Sequence, residues 1–163
     1  MCKVAVIGYG VVGSGTVELF MKNRESISKK VGKECDIKYI LDLRDFPDSP
    51  FADKMIKDFN IILNDAEVEV VAEVVGGTTF AYDYTKKLLE HGKSVVTSNK
   101  ALVAERVQSF LKLQGNTTAT ICSRQALAVV YLSSDRLTSV WQETRYFRYQ
   151  AFSTAQQTSF LQR

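Results

Sequence analysis

The chain has 163 residues, 45% of them hydrophobic, and a net charge of +3, which suits one globular domain with a real core. So small a charge, carried by scattered lysines, speaks against a nucleic-acid partner, and no apolar run is long enough to cross a membrane. A single histidine, His91, argues against an ordinary metal site. Cys2, Cys35 and Cys122 form no C-x-x-C pair and so point to a reducing compartment. With no signal-peptide pattern at its start, the chain is expected in the cytoplasm, its oligomeric state left open.

The apolar run Lys3 to Ile7 reads as a buried parallel strand. It enters Gly8-Tyr9-Gly10-Val11-Val12-Gly13, a G-x-G-x-x-G turn that opens a helix. In such a turn Gly8 bends the chain tightly off the strand, Gly10 lets backbone approach a pyrophosphate, and Gly13 lets helix and strand pack closely. The first N–H groups of the helix, from Val11 and Val12 onward, then face the phosphates. The helix is expected to run to about Asn23, with Val12, Thr16, Leu19 and Phe20 inside. Gly15 marks either a second close approach or a tolerated loss of helix stability. Arg24 to Cys35 has the polar composition of a surface connection, and Ile37 to Leu41 is the second strand.

Asp42, Leu43, Arg44 and Asp45 follow, where a dinucleotide fold holds the adenine ribose. An acid there accepts hydrogen bonds from the ribose hydroxyls and favours NAD. An arginine pairs with the 2′-phosphate of NADP. Asp42 and Arg44 are thus both cofactor candidates, NAD against NADP stays open, and a plain charged loop is the competing explanation for each.

Pro47 to Pro50 reads as a loop, Lys54 to Phe59 as a short helix, and Asn64 to Ala66 as a turn. Val68 to Val75 forms a further strand segment that ends in Gly76-Gly77-Thr78-Thr79, beside the nicotinamide half of a bound cofactor. A helix over Phe80 to Glu90 is capped by Gly92. Ser94 to Val96 then delivers Thr97-Ser98-Asn99-Lys100 to the same sheet edge, and a last helix covers Ala104 to Leu113. The alternation predicts an α/β fold, a Rossmann-like doubly wound parallel sheet. Lys100, just past a strand end, is placed to aim its ammonium at a carbonyl oxygen, stabilising an alkoxide or moving a proton. Thr97 and Ser98 are placed to bind cofactor, to cap the helix, or both.

From Met1 to about Leu113 the chain resembles the cofactor domain of homoserine dehydrogenase. The matching pieces are VAVIGYGVVGSGTVELF, the Arg44-Asp45 pair, and EVVGGTTFAYDYTKKLLEHGKSVVTSNKALVAE. The resemblance implies NAD(P) as cofactor, with Gly8, Gly10, Val11, Val12, Gly13, Asp42, Arg44, Gly76, Gly77, Thr97, Ser98 and Lys100 around it. It also implies Lys100 beside the nicotinamide as a catalytic residue. Members of the family interconvert L-homoserine, a small amino-acid substrate, and L-aspartate 4-semialdehyde, on the route to threonine, methionine and isoleucine. A sugar dehydrogenase of the glucose–fructose oxidoreductase type is the nearby alternative, but it carries E-K-P where this chain has Asn99-Lys100-Ala101.

Composition changes after Gln114. Every lysine lies at or before Lys112, five of the eight arginines lie after it, and only Asp135 and Glu143 remain of the acids. Joining the third base of each codon to the first two of the next, permitted synonymous choices spell a different string from Asn116 onward. It contains FEASVGGGIPII and GIFNGTTNFILTK, which resemble the family's continuation. Trp141 followed by Gln142 forces the alanine of CLAGNE without any choice. The expected organisation is a cofactor domain over 1–114 that lacks its last strand, then an out-of-frame tail over 115–163, with the substrate domain missing. Such a chain is not expected to turn over substrate by itself. A stand-alone NAD(P)-binding redox sensor is the alternative.

Overall fold

The computed structural model describes residues 1–114 and 120–122. In chain order these form β1 (Cys2–Ile7), α1 (Val11–Lys22), α2 (Arg24–Val31), β2 (Cys35–Leu41), a 3-10 turn (Ala52–Lys54) and β3 (Met55–Ile56). Then come α3 (Phe59–Asn64), β4 (Val68–Glu73), α4 (Thr79–Glu90), β5 (Ser94–Thr97), α5 (Lys100–Gln114) and β6 (Ile121–Cys122). The strands make one six-stranded sheet in the order β3-β2-β1-β4-β5-β6, and every pairing is parallel. After β3 the chain crosses to the far side of β1, so strand order reverses between β1 and β4 and a crevice opens at their carboxyl ends.

Alternation along β1 divides the core. Ala5 and Ile7 face a cluster with Phe59 and Ile62 of α3, Ala81, Leu88 and Leu89 of α4, and Leu102 and Phe110 of α5. Val4 and Val6 face the other way, toward Val17 and Phe20 of α1 and Ile37 and Ile40 of β2. Helices thus cover both faces, the doubly wound arrangement expected from the sequence.

Three local expectations are corrected. The inner face of α1 is Gly13, Val17 and Phe20, whereas Val12 and Leu19 are 55% and 64% exposed. The close seat of Gly13 on the glycine turn sets the helix phase, and apolar residues elsewhere follow it. Residues expected as a surface connection form α2, a helix with no buried residue. Its inward positions, Arg24, Ile27 and Ser28, are mostly polar, so it lacks the apolar stripe that marks an amphipathic helix. Within the segment expected as a short helix, Met55 and Ile56 instead pair with Ile40 and Leu41 as an edge strand. Helix α3 begins only after Asp58, whose carboxylate accepts the Asn60 N–H at 2.9 Å. At the other edge, Ile121 and Cys122 pair with Val95 and Val96 as a two-residue strand. Ile121 packs on the core cluster, which gives this short strand its hold. The rest of the proposed tail lies outside the described residues.

The C-terminus of α4 is as expected. Gly92 adopts φ +74°, and its N–H donates to Leu89 O at 3.0 Å.

Candidate functional site

Four loops meet at the carboxyl edge of the sheet: those after β1, β2, β4 and β5. The first is built by glycine. Gly8 leaves β1 at φ +96°, a conformation L side chains rarely adopt. Its N–H donates to Leu41 O at 2.8 Å. A Cβ on Gly13 would stand 1.9 Å from Gly8 O, a distance no side chain tolerates. Gly10 is the N-cap of α1 and places no side chain before the N–H groups of Val11, Val12 and Gly13. The first helical bond within α1 is from Ser14 N–H to Gly10 O, at 2.9 Å. The earlier donors are left for a ligand, and the helix dipole favours an anion there. Gly15, in contrast, has open space around it, so the second close approach is absent.

The second loop brings the two ribose candidates together. Asp42 accepts the Tyr9 N–H at 2.7 Å and so ties the end of β2 to the glycine turn. Arg44 grips the same carboxylate with Nε on Oδ1 at 3.0 Å and Nη2 on Oδ2 at 2.9 Å. Its backbone N–H donates to Oδ1 as well. The Arg44 guanidinium beside Asp42, helped by the two backbone N–H groups, holds this carboxyl well below the usual carboxylate range against the opposing effect of burial. The Asp42 side chain is 9% exposed and that of Arg44 65%. Arg44 lies over the Phe46 ring, and its Nη2 is the nearest atom, at 3.8 Å, to a Cβ built on Gly10. The arginine therefore leans across the glycine turn, with its Nη1 outside the clasp. Asp45 turns away to Lys57.

The third and fourth loops face each other. Gly76 and Gly77 are exposed, Gly77 at φ +87°. Ser98 and Lys100 are exposed on the opposite lip, and no carboxylate among the described residues pairs with Lys100. Thr97 is different: it is buried, and its hydroxyl donates to the Glu73 carboxylate. The same oxygen accepts the Asn99 N–H at 3.0 Å. Asn99 caps α5 by accepting the Leu102 N–H at 3.1 Å, and its amide donates to the carbonyl of Gly77 across the cleft.

The fold thus brings Gly8, Gly10, Val11, Val12, Gly13, Asp42, Arg44, Gly76, Gly77, Ser98 and Lys100 to one sheet edge. It takes the Thr97 side chain out of direct reach. Glu73 was not anticipated, and Asn99, expected at this sheet edge, was not singled out as a site residue. Glu73 is fully buried, and burial pushes its carboxyl up, opposed by the Thr97 hydroxyl and the Val75 N–H. The available signal was an acid ending an apolar strand immediately before two valines and a glycine pair.

The family model described as "Homoserine dehydrogenase, NAD binding domain" matches residues 8–123. A homoserine dehydrogenase of Methylobacillus glycogenes is 31% identical over 140 residues, covering 78% of this chain and 32% of that protein. The Pseudomonas aeruginosa homoserine dehydrogenase is 36% identical over 103 residues, covering 63% and 24%. Among solved structures, S. aureus homoserine dehydrogenase is similar at 29% identity and a TM-score of 0.69, covering 77% of this chain and 32% of that one. The chain spans about a quarter to a third of the length of these relatives.

Proposed function

The chain belongs to the homoserine dehydrogenase family, through its NAD-binding domain, and from that premise we propose that it is the cofactor-holding part of an enzyme interconverting L-homoserine and L-aspartate 4-semialdehyde. The bound nicotinamide would supply or accept the hydride. This chain's residues bind and orient it. The α1 N-terminus takes the pyrophosphate, Asp42 and Arg44 take the adenosine ribose, and the lips at 76–77 and 97–100 flank the nicotinamide. Lys100 presents its ammonium to the substrate oxygen and offsets charge that develops there. The observation that carries this reading is the α1 N-terminus: a glycine N-cap, open N–H groups, and a turn that admits no Cβ at Gly13.

We further propose that residues 1–114 are the native cofactor domain and 115–163 an out-of-frame continuation. Substrate contacts would then lie in the sequence the alternate frame encodes. The family activity, its place in threonine, methionine and isoleucine synthesis, and a cytoplasmic location would belong to that restored protein.

Titrating the 163-residue chain with NADH and NADPH, followed by cofactor fluorescence, tests the first proposal. Saturable binding of at least one is expected, and a folded chain that binds neither overturns it. The DNA from codon 110 to a few hundred bases beyond codon 163 tests the second. The alternate frame should stay open and spell FEASVGGGIPII, and restoring it should produce homoserine-dependent reduction of NAD(P)+. A closed alternate frame overturns the proposal and favours a stand-alone binding module.

A further inference from the structure

The Glu73 carboxylate lies at the centre of a hydrogen-bonded ring that joins the two lips of the cleft. Glu73 ends β4 and is register-paired with Thr97, which ends β5. One of its oxygens accepts the Val75 N–H at 2.8 Å, on the lip that leads into Gly76 and Gly77. The other takes the Thr97 hydroxyl. Thr97 Oγ1 accepts the Asn99 N–H, and the Asn99 amide returns across the cleft to the carbonyls of Gly77 and, at 3.4 Å, Val75. The backbone adds a second tie, from Ser98 N–H to Glu73 O at 3.3 Å.

Each donor in this ring has one acceptor to meet. Both carboxylate oxygens face donors, which is the arrangement an acceptor-only group requires. The Thr97 hydroxyl can donate in only one direction, so its commitment to Glu73 leaves its lone pairs for Asn99. Asn99 in turn fixes two things at once: the first turn of α5, where Lys100 is the first residue, and the carbonyl of Gly77. A buried group so fully matched at the meeting of two exposed lips is more than packing requires, because an apolar residue of similar size would fill the same space without the desolvation.

We propose that Glu73 is a positioning residue which, through Thr97 and Asn99, sets the separation of the 76–77 and 98–100 lips and thereby the fit of the cofactor's nicotinamide end. The proposal rests on the cofactor reading above. Its hydrogen bonds run only among Glu73, Val75, Gly77, Thr97 and Asn99, and none reaches the glycine turn or Asp42; the Val75 side chain packs near Gly8, but the ring engages Val75 only through its backbone. Glu73 acts through other residues and does not itself meet the cofactor.

The test compares NADH with ADP-ribose, which shares the adenosine and both phosphates but lacks nicotinamide. Both are titrated by calorimetry into the full 163-residue chain and into Glu73→Gln, Thr97→Val and Thr97→Ser. Glu73→Gln and Thr97→Val are each expected to weaken NADH about tenfold, the scale of one disrupted buried hydrogen-bond partner, and to leave ADP-ribose within about twofold. Thr97→Ser, which restores the hydroxyl, is expected to recover most of the loss seen with Thr97→Val. Thr97→Val keeps the side-chain volume and the buried acid's other partner, so it carries the test if Glu73→Gln fails to fold. Equal weakening of both ligands, or no change in either, overturns the positioning role while wild-type binding of both ligands preserves the cofactor reading. A wild-type chain that binds neither overturns both.

Discussion

The two ends of the crevice are made in different ways. At the α1 end the geometry is written in backbone: Gly8 at positive φ, Gly13 against Gly8 O, and a glycine N-cap. At the 76–100 end it is written in side chains, with Glu73, Thr97 and Asn99 passing hydrogen bonds from one lip to the other. A backbone device of this kind fails when a methyl group is added. A side-chain device is graded, because each donor or acceptor is removable alone. The pyrophosphate end is therefore expected to respond to substitution all-or-none, and the nicotinamide end in steps.

The largest effect is expected at Gly13. Gly13→Ala places a methyl 1.9 Å from a backbone oxygen, and neither α1 nor β1 has room to retreat, since Val17 and Ile7 are both buried. Overpacking of this severity is expected to destabilise the fold by about 3 kcal/mol or more and to abolish NAD(P)H binding. Urea unfolding and a cofactor titration check the two parts. A folded variant that still binds would mean the turn is packing alone.

Lys100 comes next, in the protein restored to its alternate frame. Lys100→Met removes the ammonium but keeps the stem, and kcat is expected to fall about 10²- to 10⁴-fold, the range for a positioned acid or charge stabiliser. NADH affinity should change little, because Lys100 is exposed on the lip. A variant that loses cofactor affinity but keeps kcat would assign Lys100 to binding.

The ends also differ in how far they could be read from sequence. The G-x-G-x-x-G spacing states its own geometry, because glycine is required where a Cβ has no room, whereas Gly77 and Gly92 stand in open space and are glycine for their positive φ. Asp42 and Arg44 were visible as candidates, but their mutual clasp was not. Two charges two residues apart grip each other only when the loop turns the guanidinium back, which the Phe46 ring under Arg44 encourages. Glu73 is easily passed over for the opposite reason: an acid at a strand end reads as solvent-facing, and its burial depends on Thr97 arriving from another strand. The α1 face was misread because exposed Val12 and Leu19 imitate a core stripe. Lone apolar residues on a surface are ordinary, and the phase belongs to the glycine.

The Asp42–Arg44 clasp gives a smaller, directional effect. On the proposed cofactor reading, Arg44→Ala would remove the partner of a 2′-phosphate and free the carboxylate for ribose hydroxyls. NADPH affinity is expected to fall about tenfold while NADH affinity holds or rises. The variant should also let the Asp42 carboxyl climb back toward its ordinary value, because Arg44 is the main cause of the depression. In the wild type the clasp's contribution to stability is therefore present above the unfolded carboxylate value of 3.8 and is lost as pH falls below it. The expected consequence is an acid unfolding limb that is shallower in Arg44→Ala. Equal losses of NADPH and NADH would mean the arginine only holds the loop.

Gly15 offers the smallest effect and the sharpest contrast with Gly13. The two lie on the same helix, two residues apart, and a Cβ at Gly15 meets nothing within 4 Å. Helical glycine gives up more chain entropy than alanine, so Gly15→Ala is expected to stabilise the protein by about 0.5–1 kcal/mol. Cofactor affinity should be unchanged, because residue 15 lies beyond the open N–H groups of residues 11–13 that are proposed to take the phosphates. Thermal unfolding and an NADH titration measure both. If Gly15→Ala weakens binding as Gly13→Ala is expected to do, the glycines of α1 serve helix mobility and the steric account of the turn fails. If it stabilises without touching affinity, the requirement for glycine belongs to the turn itself, and the all-or-none behaviour of the pyrophosphate end comes from one contact, Gly13 on Gly8 O.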